Sequence, residues 1–119
     1  MNINTLAAAM NVAWGVAGAD KMADEEWAVL FKEMDSYRLD AKQREDLIAR
    51  FKSMDVLEGI NTLRAADAAT RDEAEALVFI TTCNDGKASD IEIGAFILMS
   101  QLCKFRGIKA DEAHRILGF

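Results

Sequence analysis

The stretch CNDGKASDIE, residues 83–92, puts Asp85, Gly86, Ser89 and Glu92 at the fifth, sixth, ninth and twelfth positions of an EF-hand loop, a spacing that would serve calcium ligation. Such a loop also needs oxygen donors at its first and third positions, which here are Thr81 and Cys83. A thiol suits a hard cation poorly, so the donor set argues against a complete EF-hand. The same residues have an ordinary helical reading. Asp85-Gly86 is a turn signal, and Ser89 followed three residues later by Glu92 has the form of a capping box ahead of an apolar run.

Other residues that could do chemistry are few. His114 is the one histidine, and its neighbours Glu112 and Arg115 are ordinary helix-surface residues. The chain shows no nucleophile elbow and no glycine-rich phosphate loop. Cys83 and Cys103 are too few for a disulfide framework and lack zinc-ligand spacing, so both are expected to be reduced and buried. An enzyme is not expected. Lys104, Arg106, Lys109 and Arg115 gather late in the chain, where they would suit an acidic partner or compensate helix C-termini.

The elements that must position these residues read as helices throughout. The chain has no proline, and its apolar residues recur at helical spacing: Trp27, Leu30, Phe31 and Met34, then Leu47, Ile48, Phe51 and Met54. Asp24-Glu25-Glu26 and Asp40 supply acidic starts to those two helices. Shorter helices are expected over residues 57–66, from near Thr70, and over residues 111–117. IEIGAFILMSQLC, residues 91–103, is apolar on nearly every face, which marks a central helix walled by others or an oligomer contact. LAAAMNVAWGVAGA, residues 6–19, ends in an AxA-like pattern but follows MNINT, which lacks the positive charge of a secretory leader. It is too short to span a bilayer and reads as a core helix, with Trp14 and Trp27 as core aromatics. Ala8, Ala9, Gly15 and Gly18 suit close helix packing.

Composition is consistent with one folded all-α domain over residues 1–119, with 51% hydrophobic and 29% charged residues and no Ser-, Gly- or Pro-rich linker. A net charge of −6 disfavours nucleic acid and anionic membrane surfaces, and it suits a cation or a basic partner better. A cytoplasmic setting is expected.

Laying out these helices exposes an internal repeat. ADKMADEEWAVLF (residues 19–31) matches NDGKASDIEIGAFI (residues 84–97) with one residue missing from the first turn. Asp20 then pairs with Asp85, Glu26 with Glu92, and Trp27, Leu30 and Phe31 with Ile93, Phe96 and Ile97. Each half is a helix, an acidic turn and a helix, and since such a hairpin cannot cover its own apolar face, the halves are expected to pack together.

With these motifs in place, the sequence resembles the TerB-like family, small helical domains named after a bacterial tellurite-resistance protein. The family's motif, a helix ending in an A-D-G-like turn before a Glu-rich helix start, occurs twice; the copy at residues 84–92 fits well, and the one at residues 19–26 lacks the glycine. The resemblance runs from about Leu6 to Cys103. It implies an all-α bundle of about seven helices with two related helix-turn-helix halves, and a non-enzymatic role in sensing or scaffolding in bacterial stress responses. It also implies a divalent-cation patch, for calcium or magnesium, at Asp20, Glu26, Asp85 and Glu92, with Asp24, Glu25 and Asp90 beside them. Against the cation stands the capping reading, in which each Asp shapes a turn and each Glu caps a helix. The alternative function is a ligand-free protein-interaction module or homodimer that uses residues 91–103 or a neighbouring surface; the partner is unidentified.

The two readings of CNDGKASDIE separate on melting. A shared ion would raise the melting temperature with the logarithm of calcium or magnesium concentration, and Asp85→Asn would abolish that gain. Capping alone gives the same melting with either ion or a chelator, while Ser89→Ala costs about 0.5–2 kcal/mol in all three media.

Overall fold

The helix that begins the chain, α1 (Ile3–Ala17), carries so few polar side chains that it must be enclosed, and the fold is arranged to enclose it. In a computed structural model, which describes residues 1–17, 37–83 and 89–118, it is followed by α2 (Ala41–Ser53), α3 (Val56–Arg64), α4 (Ala68–Cys83), α5 (Asp90–Leu102) and α6 (Ala110–Leu117). No strand occurs among the described residues, so the all-α expectation holds. The expected seventh helix and the pairing of two related halves involve residues 18–36 and 84–88, which lie outside the described residues. No helix among the described residues is long and apolar enough to cross a membrane.

α1 packs against α2, α3, α4 and α5. Leu6, Met10, Val12 and Val16 supply bulk, and the fully buried Ala7, Ala8, Ala9 and Ala13 let the surrounding helices come close. The reading of this segment as a core helix therefore holds, but two expectations about the core do not. Of the two readings of residues 91–103, a central helix or an oligomer contact, the first does not hold: α1 takes the central place, and one side of α5 faces outward. Trp14 is not a core aromatic, since it is 44% exposed, and Trp27 lies outside the described residues. On α2 the expected stripe is only partly buried: Leu47 and Met54 are enclosed and Phe51 packs against them, whereas Ile48 faces solvent.

Local chemistry explains where the helices begin. Asp40 caps α2 by accepting from the Gln43 N–H at 2.8 Å, and the Gln43 side chain accepts in return from the Asp40 N–H at 3.0 Å. Asp55 accepts from the Glu58 N–H at 2.8 Å at the start of α3, and Asp67 from the Thr70 N–H at 2.7 Å at the start of α4. That last bond, with the Thr70 hydroxyl, holds the Asp67 carboxyl below its usual range.

Two buried polar side chains tie the layers together. Asn11 on α1 donates to the Met54 carbonyl at 2.8 Å, joining the central helix to the end of α2. Its Oδ1 leaves no room on α3, where a Cβ at Gly59 would lie 2.8 Å away. Glu75 on α4 is 1% exposed and clasps the loop between α5 and α6: its carboxylate accepts from the backbone N–H groups of Arg106 at 3.1 Å, Gly107 at 3.0 Å and Ile108 at 2.8 Å. Burial pushes this carboxyl above its usual range, and the three N–H groups oppose that shift without cancelling it. Gly107 supplies the positive φ of 84° that aims consecutive N–H groups at one side chain. Outside the clasp, Arg106 binds Asp72 at 2.9 Å and also pairs with Glu112, joining α4, the loop and α6.

The clasp generates a stability prediction. Glu75→Ala leaves three loop N–H groups facing an apolar hole, so a loss of about 3 kcal/mol or more is expected from the urea unfolding midpoint. A change below about 0.5 kcal/mol would show that the loop holds its shape without the carboxylate.

Candidate functional site

Of the four expected cation ligands, Asp20, Glu26 and Asp85 lie outside the described residues, as do Asp24 and Glu25. Glu92 is described, and it caps. Ser89 accepts from the Glu92 N–H at 3.1 Å, and the Glu92 carboxylate accepts from the Ser89 N–H at 3.2 Å and from its hydroxyl at 3.3 Å. This is the capping box expected from the sequence, with the difference that Glu92 is buried rather than solvated. One of its oxygens is thus already engaged at the start of α5. Asp90 beside it is exposed. Among the described residues, no three His, Cys, Asp or Glu side chains are grouped to hold a metal.

Two of the basic residues late in the chain, Arg106 and Arg115, are paired with acids. Arg106 is committed to Asp72 and Glu112. Lys109 and Arg115 share a shallow, open depression with the acids Asp111 and Glu112. Cys103 is a free, fully buried thiol, pushed up to about 11 by burial, and is therefore unreactive at neutral pH.

The unusual surface is α5. Its inward side carries Ala95, Phe96 and Met99, which pack on the main core. Phe96 also meets Phe79 of α4 edge to face, with ring centroids 5.9 Å apart at 66°. Met99 reaches α1 where that helix has no side chain: a Cβ at Gly15 would lie 3.3 Å from both the Met99 Cε and the Val56 Cγ2. The C-terminal part of α1, the start of α3 and the middle of α5 thus converge at one junction.

The opposite side of α5 is aliphatic and open. Ile91, Ile97 and Leu98 are 60%, 53% and 56% exposed, and Ile93 and Leu102 are exposed beside them. At about 100° per residue these five side chains span roughly half of the helix circumference. Gly94 lies in the middle of that arc, with no atom of the described residues within 4 Å of the position its Cβ would occupy. The polar Glu92 and the Ser100 hydroxyl are buried on the inward side, so the helix inverts the usual arrangement of a surface helix. Trp14, Val56 and Leu57 add exposed apolar area around the junction with α1 and α3.

The sequence located this helix and named an oligomer contact as one of its two readings, but it did not choose between enclosure and exposure. The Glu75 clasp was missed altogether. Its signal was a lone acid inside AEALVFI, three residues before the buried Val78 and so on a face that should have been apolar.

No family model matches the chain, and no curated protein matches it. Among solved structures, the fold is similar to that of a protein of unknown function from Porphyromonas gingivalis, with a TM-score of 0.83 and 20% identity over 100% of this chain and 91% of that one. At that identity the likeness establishes a shared helical fold.

Proposed function

We propose that the protein is a non-enzymatic interaction module, of the sensing or scaffolding kind that the TerB-like resemblance implies, and that it engages a protein partner through the outward face of α5. The observation that supports this reading is the inverted helix: five large aliphatic side chains on the water side and a capping glutamate on the inside. Each is 40–60% exposed and so forgoes part of the roughly 1.5–3 kcal/mol that full burial would supply. Contiguous apolar surface of this kind marks interaction sites on proteins that otherwise keep their aliphatic residues inside. Neither nucleic acid nor a membrane surface fits a chain of net charge −6. Within the same reading the domain acts in a cytoplasmic, stress-associated, tellurite-resistance-like setting, with calcium or magnesium at Asp20, Glu26, Asp85 and Glu92 as an accessory. That cation rests on the repeated acidic turn and on the resemblance.

The test separates a binding face from a piece of core. In a dilute sample, Ile97→Glu/Leu98→Glu is expected to melt within about 0.5 kcal/mol of the parent and to lose most of the parent's binding of a hydrophobic fluorescent dye. A loss of several kcal/mol would show that these side chains are packed inside the fold, and would end the reading.

A further inference from the structure

We propose that the occupant of the α5 face is a second copy of this chain, with the two α5 helices antiparallel across a twofold axis between Ile97 and Leu98. This deepens the interaction reading above and rests on it.

The face complements itself. A twofold interface sets the same patch against itself, so every bump needs a matching recess within that patch. Gly94 and Gln101 provide one of each. They lie seven residues apart, which is about two turns, and so share one line along the exposed side of α5. With the axis between Ile97 and Leu98, Gln101 of each copy falls over the partner's Gly94, where the missing side chain leaves open space. Ile97 and Leu98 of both copies then form the central layer of the seam, with Ile93 and Leu102 flanking it on opposite sides. All four of these aliphatic residues are exposed in the single chain.

Charge selects the same direction. The exposed arc is uncharged from Ile91 to Leu102, with Asp90 at its N-terminal end and Lys104 just beyond its C-terminal end. Both are exposed, and neither enters an ion pair among the described residues. Antiparallel pairing brings each Asp90 to the end where the partner's Lys104 stands, and it opposes the two helix dipoles favourably. Parallel pairing would set like charges together at both ends. The helix is about 20 Å long, so its face alone offers less than the roughly 800 Å² per partner of a standard interface. The dimer should accordingly be reversible.

Sedimentation velocity on the full chain, from about 1 to 500 μM, tests this. The expected result is a monomer–dimer equilibrium that Gly94→Leu and Ile97→Glu/Leu98→Glu both abolish. Asp90→Lys and Lys104→Asp are each expected to raise the dissociation constant about tenfold, and the two combined to restore it. A dimer indifferent to these changes would overturn the proposal. So would a monomer at every concentration. If that monomer tolerates Ile97→Glu/Leu98→Glu without loss of stability, only the second copy is refuted and another partner owns the face. If the variant unfolds, the interaction reading falls too.

Discussion

Enclosing α1 is the constraint from which the architecture follows. A helix that buries Leu6, Met10, Val12 and Val16 together with four alanines leaves little side for water, so α2, α3, α4 and α5 must each give it a face. The alanines set how near those helices come, and Gly15 lets Met99 and Val56 reach the α1 backbone. A polar group in such a place needs an internal partner. Asn11 finds one for its Nδ2 in the Met54 carbonyl, whereas its Oδ1 has no hydrogen-bond partner among the described residues and has room only because residue 59 is glycine.

The far side of the bundle is held by a different force. α6 is short, and only Ala113 among its residues is fully buried, so apolar contact alone would hold it weakly. Glu75 compensates by gathering three consecutive N–H groups of the preceding loop, and Arg106 ties the same loop to α4 and α6. A small apolar cluster of Ala76, Ile80, Ile108 and Ala113 closes around this polar anchor. Since the loop follows directly from α5, the clasp also fixes how the end of α5 is set, with Cys103 turned inward and Leu102 outward.

The outward face of α5 is a consequence of these two arrangements. Phe96 is held against Phe79 and Met99 against α1, which determines the rotation of the helix about its axis. Glu92 is then inside, where its cap bonds to Ser89 satisfy it, and the isoleucines and leucines are outside. A residue type chosen to start the helix and a set of residues that look like core have thus exchanged their customary places.

The sequence by itself determined the helical class, most helix starts and the reading of residues 6–19 as a core helix. These follow from local physics: apolar spacing, the lack of proline, and side chains such as Asp40, Asp55 and Ser89 that satisfy nearby N–H groups. Of the candidate site, Ser89 and Glu92 were legible as a capping box for the same reason, while the joining of Asp20 and Glu26 to Asp85 falls in residues outside those described. The tertiary structure alone decided which of two apolar helices is enclosed. Periodicity reports a face only when a helix has a polar side, and neither α1 nor α5 has one that is clear. α1 is the enclosed one, and its alanines and Gly15 admit close neighbours. Glu75 was invisible for a related reason: its three partners are backbone groups 31 to 33 residues away, and backbone N–H groups leave no mark in a sequence.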